Sequence, residues 1–207
     1  MIVNPALEQY IANLLPGRDP VLAEMEAYAY ANRINIIGPG CATILAQLVL
    51  MTGAKRIFEL GSAIGYSTIW LARAAGPGAE IHYSDGDPEN AARARGYFER
   101  AGVADRIVVH TGDALGALSE TAGEFDMIFN DVDKDGYPDV YAAAPARVRM
   151  GGVFVTDNTL WKGKVLDPQD AESEGADRFN RLLFGDARFV TSLIPLRDGM
   201  TLGIRVG

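Results

Sequence analysis

The sequence has 207 residues, 48% of them hydrophobic and 22% charged, which predicts a globular domain with a substantial core. The net charge of −8 works against non-specific nucleic-acid binding, which depends on Lys and Arg neutralising phosphates. No apolar run approaches the roughly 20 residues that span a bilayer, and we see no signal peptide. The single cysteine, Cys41, fits a reducing compartment, so we expect a cytoplasmic protein.

The N-terminal part of the chain predicts helices and no strand. Asn-Pro at 4–5 and Asp-Pro at 19–20 are each typical of an N-cap followed by proline at the first helical position. The predicted helices of this segment cover 5–15, 20–33 and, after Gly-Pro-Gly at 38–40, a third stretch from Cys41 through Met51 that ends at Gly53. We expect residues 1–53 to form a helical cap whose apolar surface, together with Leu160 and Trp161, supplies a homodimer contact.

From residue 54 onward the pattern alternates strand and helix, which predicts a doubly wound, mostly parallel α/β sheet. The predicted strands cover 56–60, 80–84, 106–110, 125–130, 152–156, 187–194 and 200–206. The predicted helices cover 66–75, 88–101, 113–119, 137–147 and 169–184. No repeat or linker interrupts this pattern, so we expect a single domain over 1–207 with an α/β core at 54–207.

The segment 56–73 organises this predicted core. Its apolar strand meets Gly61 and Gly65 before a helix begins, which is the opening unit of a nucleotide-type site. The G-x-x-x-G spacing differs from the G-x-G-x-x-G of dinucleotide sites, and Glu59 would repel a pyrophosphate but suit a cationic ligand. This favours S-adenosylmethionine, with its sulfonium and ammonium groups, over NAD. A strand, turn and helix without a ligand is the alternative.

Acidic residues follow the next strands, at the edge where ligands bind in such sheets. Asp85 follows the strand 80–84, about twenty residues past the first glycine, where a ribose-diol acceptor is expected. Asp87, which precedes Pro88, is expected to cap a helix instead. Asp113 suits either an adenine contact or a helix cap, and the sequence leaves both open.

A second group of polar residues follows two further strands. Asp131, Asp157 and Asn158 are hard oxygen ligands, which suit Mg²⁺ or another divalent cation such as Ca²⁺ or Mn²⁺. Such a cation lowers the pKa of a bound hydroxyl, and Lys134 is close enough in sequence to accept its proton. The alternative is a solvated acidic loop and an Asp-Asn turn. The sequence has only two histidines, His82 and His110, which are too few to favour a His/Cys zinc site or a Ser-His-Asp triad. We expect both histidines to be structural.

Long motifs in these regions carry a resemblance to a known family. They are Ile-Ile-Gly-Pro at 36–39, Glu-Leu-Gly-Ser-Ala-Ile-Gly-Tyr-Ser-Thr-Ile-Trp-Leu-Ala at 59–72, Phe-Asp-Met-Ile-Phe-Asn-Asp-Val-Asp-Lys-Asp-Gly-Tyr at 125–137, Gly-Gly-Val-Phe-Val-Thr-Asp-Asn-Thr-Leu-Trp-Lys-Gly at 151–163 and Asp-Gly-Met-Thr-Leu at 198–202. The chain resembles the cation-dependent O-methyltransferases of the catechol and caffeoyl-coenzyme A type, especially bacterial members. The resemblance implies a seven-stranded, Rossmann-like class I methyltransferase fold with the last strand antiparallel.

The resemblance also implies a reaction and roles for residues. It implies methyl transfer from S-adenosylmethionine to a hydroxyl of a small catechol-like aromatic, with Mg²⁺ as the usual cation. Lys134 is the implied base, and the implied metal ligands are Asp131, Asp157 and Asn158. The implied cofactor residues are Ile37, Glu59, Gly61, Ser62, Ser67, Asp85, Asp113, Ala114 and Asp131. Gly40 and Gly86 depart from the family pattern, which leaves the acceptor open.

Two alternatives to this function remain. Some bacterial relatives methylate a hydroxylated uridine in transfer RNA, an activity that the acidic composition disfavours. A binding protein that keeps the fold and has lost the chemistry is the other alternative. The presence of Lys134 and of all three implied metal ligands argues against it.

Overall fold

A seven-stranded sheet forms the centre of the computed structural model, which describes residues 5–207. The strands are β1 Arg56–Leu60, β2 Glu80–Asp85, β3 Ile107–Thr111, β4 Phe125–Asn130, β5 Val148–Thr156, β6 Phe189–Ile194 and β7 Met200–Arg205. Their order is β3-β2-β1-β4-β5-β7-β6. Neighbours pair in parallel except that β7 is antiparallel to both β5 and β6, which confirms the predicted sheet and its reversed last strand. Strand order reverses between β1 and β4, the usual place for a ligand cleft.

Helices cover both faces of this sheet. They are α1 Pro5–Leu14, α2 Pro20–Asn32, α3 Gly38–Thr52, α4 Tyr66–Ala75, α5 Pro88–Arg100, α6 Ala114–Glu120, α7 Tyr137–Ala143 and α8 Ala171–Phe184. Successive strand residues alternate between two buried clusters: Ile57 packs with α3, α4 and α5, and Phe58 with α6, α7 and α8. This period of two is why the strands are apolar on both faces. Among the described helices, none is long and apolar enough to cross a membrane.

Two of the predicted helix caps are confirmed. The Asp19 carboxylate accepts hydrogen bonds from the backbone N–H groups of Val21 and Leu22 at the start of α2. The Asp87 carboxylate accepts one from the N–H of Glu89, at 2.8 Å, at the start of α5. Each cap satisfies helix N–H groups that have no partner within the helix. The predicted cap at Asn4 lies outside the described residues.

Two element boundaries differ from the prediction by four residues because of local backbone geometry. Strand β5 begins at Val148 rather than at residue 152, since Val148 already pairs with Phe125 across an irregularity in the ladder. Gly151 takes a φ of +72° within that irregularity, a conformation that favours glycine. The helix predicted to reach 147 ends at Ala143, and Pro145 opens a 3₁₀ turn in its place because proline cannot continue a helix.

The two histidines form a stacked pair on the sheet. His82 Nδ1 lies 2.9 Å from His110 Nε2, and His82 Nε2 lies 2.7 Å from a carboxylate oxygen of Glu80. Both rings also stack on Phe58, with centroid distances of 5.3 and 5.6 Å. Burial lowers the pKa of both histidines. We expected structural histidines, and this packing agrees with that role.

Candidate active site

A cleft of about 820 Å³ opens beyond the C-terminal ends of strands β1 to β5. The predicted site residues that line it are Gly61, Asp85, Asp113, Ala114, Asp131, Lys134, Asp157 and Asn158. The predicted cofactor residues Ile37, Glu59, Ser62 and Ser67 are buried and are not part of the lining. The structure therefore brings together the whole candidate metal and base set but only part of the candidate cofactor set.

Gly61 and Gly65 shape the loop between β1 and α4 by letting the chain approach itself. Gly61 has a φ of +79°, and a Cβ there would lie 2.7 Å from the carbonyl oxygen of Asp131. Gly65 has a φ of +82°, and its Cβ would lie 2.5 Å from the ring of Phe98. Only glycine adopts these conformations without strain and leaves this space. The loop is thus fixed against the end of β4 and against α5.

Glu59 lies beneath this loop and does not face the cleft. Its side chain is fully buried, and its two oxygens accept hydrogen bonds from the hydroxyls of Ser67 and Thr68. Burial raises the pKa of Glu59 to about 7. We expected this carboxylate to contact a cationic ligand. It does not line the cleft, because its oxygens are hydrogen-bonded to the first turn of α4.

The remaining buried members of the set support the same region. The Ser62 hydroxyl accepts a hydrogen bond from the backbone N–H of Ser84, at 3.2 Å, which ties the loop to β2. The carbonyl oxygen of Ile37, in the connection before α3, accepts one from the Arg197 guanidinium. These residues act on the cleft through the backbone that they hold in place.

Asp85 and Asp113 sit at the cleft with part of their hydrogen-bonding capacity already used. Asp85 accepts from the N–H of Ala63 at 2.8 Å, from that of Asp87 at 2.9 Å and from the Asn90 amide at 3.1 Å. A carboxylate offers about four acceptor positions, so about one is left for a ribose hydroxyl. Asp113 caps α6 by accepting from the N–H of Gly116 at 2.7 Å. The capping alternative is therefore observed.

Asp131 and Asp157 bring two carboxylates together at the ends of β4 and β5. Asp157 is 2% exposed, and its Oδ1 atom has no hydrogen-bond partner. Burial raises the pKa of both carboxyl groups, and for Asp157 the charge of Asp131 raises it further. A buried carboxylate oxygen without a partner is costly, and a bound cation removes that cost. The pair therefore has the chemistry of a cation site.

Asn158 adds an amide side chain to the same turn, where its φ is +53°. Within residues 5–207, no group of three His, Cys, Asp or Glu side chains could hold a metal ion. A cation here would therefore rest on two carboxylates and one amide oxygen. Water or substrate oxygens would complete the shell, as Mg²⁺ sites commonly require.

Lys134 lies beside this pair in a 3₁₀ turn that spans Lys134–Gly136. Its Nζ atom is 3.4 Å from Asp131 Oδ1 and 3.2 Å from the carbonyl oxygen of Val132. Helix α8 presses on this turn at Gly175, where a Cβ would overlap the carbonyl oxygen of Lys134. Sequence reasoning missed Gly175. The available signal was an isolated glycine inside a helical pattern, which often has a packing reason.

A buried polar network holds the turn that follows β5. The hydroxyl of Thr201 lies 2.9 Å from that of Thr159, and the Asn180 amide donates to the Thr159 carbonyl at 2.7 Å. The N–H of Thr159 also donates to the carbonyl of Gly199, at 3.1 Å. The turn carrying Asp157 is thus joined to α8 and to the turn between β6 and β7.

Sequence reasoning also missed charged residues of the cleft. They include Lys162, Arg197 and Asp198, and Glu172 in the first turn of α8. Trp161, which we assigned to a subunit contact, lines the cleft as well. Trp161 and Lys162 have φ values of +42° and +56°, a conformation that costs non-glycine residues energy and often marks functional sites. The Lys134 Nζ atom lies 5.4 Å from the centre of the Trp161 ring.

Comparison with known proteins gives the family of the chain. Residues 17–206 match the family model described as O-methyltransferase. The chain belongs to the O-methyltransferase family. A catechol O-methyltransferase of Niastella koreensis is 35% identical over 96% of each chain. One of Mycobacterium tuberculosis is 38% identical over 84% of this chain and 78% of the relative. Further relatives are named caffeoyl-CoA O-methyltransferase. The resemblance found in the motifs is confirmed.

Solved structures of O-methyltransferases share the fold. The O-methyltransferase TomG of Streptomyces achromogenes, solved in complex with SAM, superposes with a TM-score of 0.89 at 29% identity, covering 98% of this chain and 96% of that one. The predicted methyltransferase fold is confirmed, and this chain is an O-methyltransferase by family.

Proposed function

We propose that this O-methyltransferase moves a methyl group from S-adenosylmethionine to one hydroxyl of a small catechol-like aromatic, with the help of a divalent cation. The observation that carries the proposal is the buried, unpartnered Oδ1 of Asp157 in one cleft with Asp131, Asn158 and Lys134. Mg²⁺ is our first choice of cation, with Ca²⁺ or Mn²⁺ as substitutes, because the donors are hard oxygens.

S-adenosylmethionine would supply an electrophilic methyl group on its sulfonium. The SAM complex of TomG supports this choice, and the loop at Gly61 with Asp85 opens on the same cleft. We assign Asp85 to the ribose hydroxyls and Asp113 with Ala114 to the adenine side. Ile37, Glu59, Ser62 and Ser67 would act by fixing the backbone around the cofactor, and Asp131 would face both cofactor and metal.

The cation would be held by Asp131, Asp157 and Asn158, and would lower the pKa of a bound hydroxyl. Lys134 is the group that we assign to accept the proton of that hydroxyl. Its Nζ atom already lies 3.4 Å from Asp131 Oδ1, so proton acceptor and ligand set share one edge of the cleft. The acceptor oxygen would gain the methyl group and give its proton to Lys134 as a neutral amine, and S-adenosylhomocysteine would be the leaving group.

A flat aromatic acceptor would stack on the wall of the cleft beside Lys134. Trp161 lines the cleft next to Lys134 and offers a ring face, which stacks well on another aromatic ring. The relatives named catechol O-methyltransferase support a diol acceptor. Transfer RNA is disfavoured because acidic side chains outnumber basic ones in the lining, and phosphate contacts need Lys and Arg.

We further propose that the helical cap to residue 53 and the α/β core at 54–207 act as one domain, and that the protein is a cytoplasmic homodimer. Large exposed apolar side chains support a subunit contact. On α1 and α3 they include Leu7, Tyr10, Leu14, Leu50 and Met51. A single buried cysteine agrees with a reducing compartment. Light scattering should give twice the mass of the chain, and a monomeric mass would refute the dimer.

Calorimetric titration of S-adenosylmethionine into metal-stripped protein tests the proposal, repeated with Mg²⁺ and with NAD as comparator. We expect saturable binding of S-adenosylmethionine and none of NAD. Turnover with catechol should then exceed turnover with phenol, which lacks the second hydroxyl. Absence of S-adenosylmethionine binding under both metal conditions would refute the proposed cofactor. Equal turnover of catechol and phenol would refute the diol acceptor.

A further inference from the structure

One arginine from the C-terminal part of the chain fastens the connection between α2 and α3. Arg197 lies in the turn between β6 and β7, and its Nη1 atom donates to the carbonyl of Ile36 at 3.2 Å and to that of Ile37. The partners are about 160 residues apart in sequence. Residues 34–36 of this connection line the cleft on the same side as Arg197.

The backbone at both ends of this contact is adapted to it. Gly38 has a φ of +74°, and a Cβ there would lie 2.7 Å from Arg197 Nη1. Arg197 itself has a φ of +52°, which costs energy for a residue with a Cβ. The guanidinium therefore occupies space that only a glycine at position 38 leaves open. The unfavourable backbone conformation of Arg197 directs its side chain into that space.

Apolar packing and one backbone hydrogen bond already hold part of the connection. Ile37 is buried, Ile34 and Ile36 pack against the same core cluster, and the N–H of Ile34 donates to the carbonyl of Ala29. Residues 34–37 belong to no strand, so no ladder of backbone hydrogen bonds fixes residues 36 and 37. Hydrogen bonds from a charged donor are stronger than neutral ones, and Arg197 directs two of them at these adjacent carbonyls. The backbone at this wall of the cleft is thus fastened by one side chain.

We propose that Arg197 is a positioning residue for the cofactor, holding residues 34–37 as a fixed wall of the cleft. This inference rests on the proposed function, because it takes the cofactor to bind against that wall. Without the guanidinium, the connection samples other paths, and the cofactor must order it on binding. That ordering weakens the cofactor's affinity.

The test is the substitution Arg197→Met, which keeps the length of the side chain and removes its donors. We expect KM and Kd for S-adenosylmethionine to rise about tenfold, with kcat within about twofold of the wild-type value, because a binding-competent state becomes less populated. Arg197→Lys keeps the charge and one donor group and should restore part of the affinity.

Arg205→Met is the matched control. Arg205 also donates to backbone carbonyls, those of Ala146 and Val148, but it lies at the last residue of β7 and does not line the cleft. It should cost stability without changing the affinity for S-adenosylmethionine. A purely structural role for Arg197 would give the same pattern as this control, and unchanged cofactor affinity in folded Arg197→Met would overturn the inference.

Gly38→Ala gives a second route that keeps the arginine. The new Cβ displaces the guanidinium, so it should weaken cofactor binding in the wild type and add nothing in Arg197→Met. The backbone strain at φ +74° is common to both backgrounds and cancels in the double-mutant cycle. Additive losses would contradict the inference. If the wild-type protein itself binds no S-adenosylmethionine, the proposed function fails instead.

Discussion

The two ends of the cleft are built in different ways. At the metal end, Asp131 and Asp157 follow β4 and β5 in the interior of the sheet, and the network of Thr159, Asn180 and Thr201 supports their turn. At the other end, the connection before α3 lies in a loop, and the two hydrogen bonds of Arg197 fasten its backbone. Helix α2, which precedes this connection, packs on the core through Leu22, Met25 and Ala29 and adds ion pairs at the surface.

This difference separates chemistry from affinity. Strand ends within a packed sheet hold their side chains in well-defined positions, and proton and methyl transfer require such well-defined positions. A loop such as the connection before α3 can open and close, which suits the entry and exit of a ligand. We therefore expect substitutions at the metal end to lower kcat, and substitutions at the connection before α3 to raise KM.

The largest effect should come from Asp157→Ala. Removal of this carboxylate takes one of three candidate ligands away, and kcat for catechol should fall at least about a hundredfold, with little change in the Kd for S-adenosylmethionine. Kinetics with catechol and calorimetry with the cofactor give the two numbers. Asp105→Ala, at a carboxylate that is 75% exposed, is the control and should behave as wild type. Normal turnover by Asp157→Ala would remove the metal role.

Gly175→Ala should act next most strongly. Its Cβ would overlap the Lys134 carbonyl, and because the clash is with backbone, we expect a loss of about 1–3 kcal/mol in the free energy of unfolding. The kcat should fall about tenfold as Lys134 shifts. Gly96→Ala on α5, where nothing lies within 4 Å, should instead gain about 0.5–1 kcal/mol. Equal behaviour of the two variants in urea unfolding and turnover would show that α8 does not position Lys134.

Mg²⁺ should stabilise the protein more at pH 8 than at pH 6. Burial raises the pKa of Asp131 and Asp157 above the unfolded value of 3.8. In the metal-free protein their protonation therefore contributes stability at low pH that is lost as the pH rises through the folded pKa. Mg²⁺ binds the ionised pair and reverses that loss. Thermal unfolding with and without Mg²⁺ at both pH values measures this. A Tm shift that persists in Asp157→Ala would place the cation elsewhere.

The histidine pair should give the smallest effect, away from the cleft. Burial lowers the pKa of His82 and His110 below the ordinary value of 6.5. Stability is therefore complete above that value and is lost as the pH falls below it, because the unfolded chain binds protons more readily. Urea unfolding at pH 7.5 and 5.5 should show this loss, and His110→Asn should reduce it. Identical pH dependence in wild type and variant would mean that the pair does not titrate in this range.

The sequence predicts best where local signals agree. The bounds predicted for β1 and β4 match the structure, because each is an apolar run that ends at a turn residue or a polar side chain. Asp19 and Asp87 are caps because each precedes a proline at a helix start, a purely local arrangement. The candidate metal set also came together, since parallel strands end at one edge of the sheet.

The failures share a physical cause, which is contact between distant segments. The orientation of Glu59 depends on hydroxyls in the next helix, and no strand pattern reveals which way a buried carboxylate turns. Arg197 meets a connection about 160 residues away, and a turn sequence carries no sign of that partner. The sequence predicts the start of β5 at Gly152, but this residue lies inside the strand. Its backbone packs closely on that of Asp126 within an irregular part of the β4–β5 ladder, which the sequence pattern does not reveal.

Methyl transfer to catechol by metal-stripped wild-type protein is the most direct test of the central claim. The assay is run with saturating S-adenosylmethionine in the presence of a chelator, and again after Mg²⁺ is restored in excess. We predict no turnover with chelator and recovered turnover with Mg²⁺, which would show that the reaction needs a divalent cation. Full turnover in the presence of chelator would contradict the account, because Lys134 would then act without a metal.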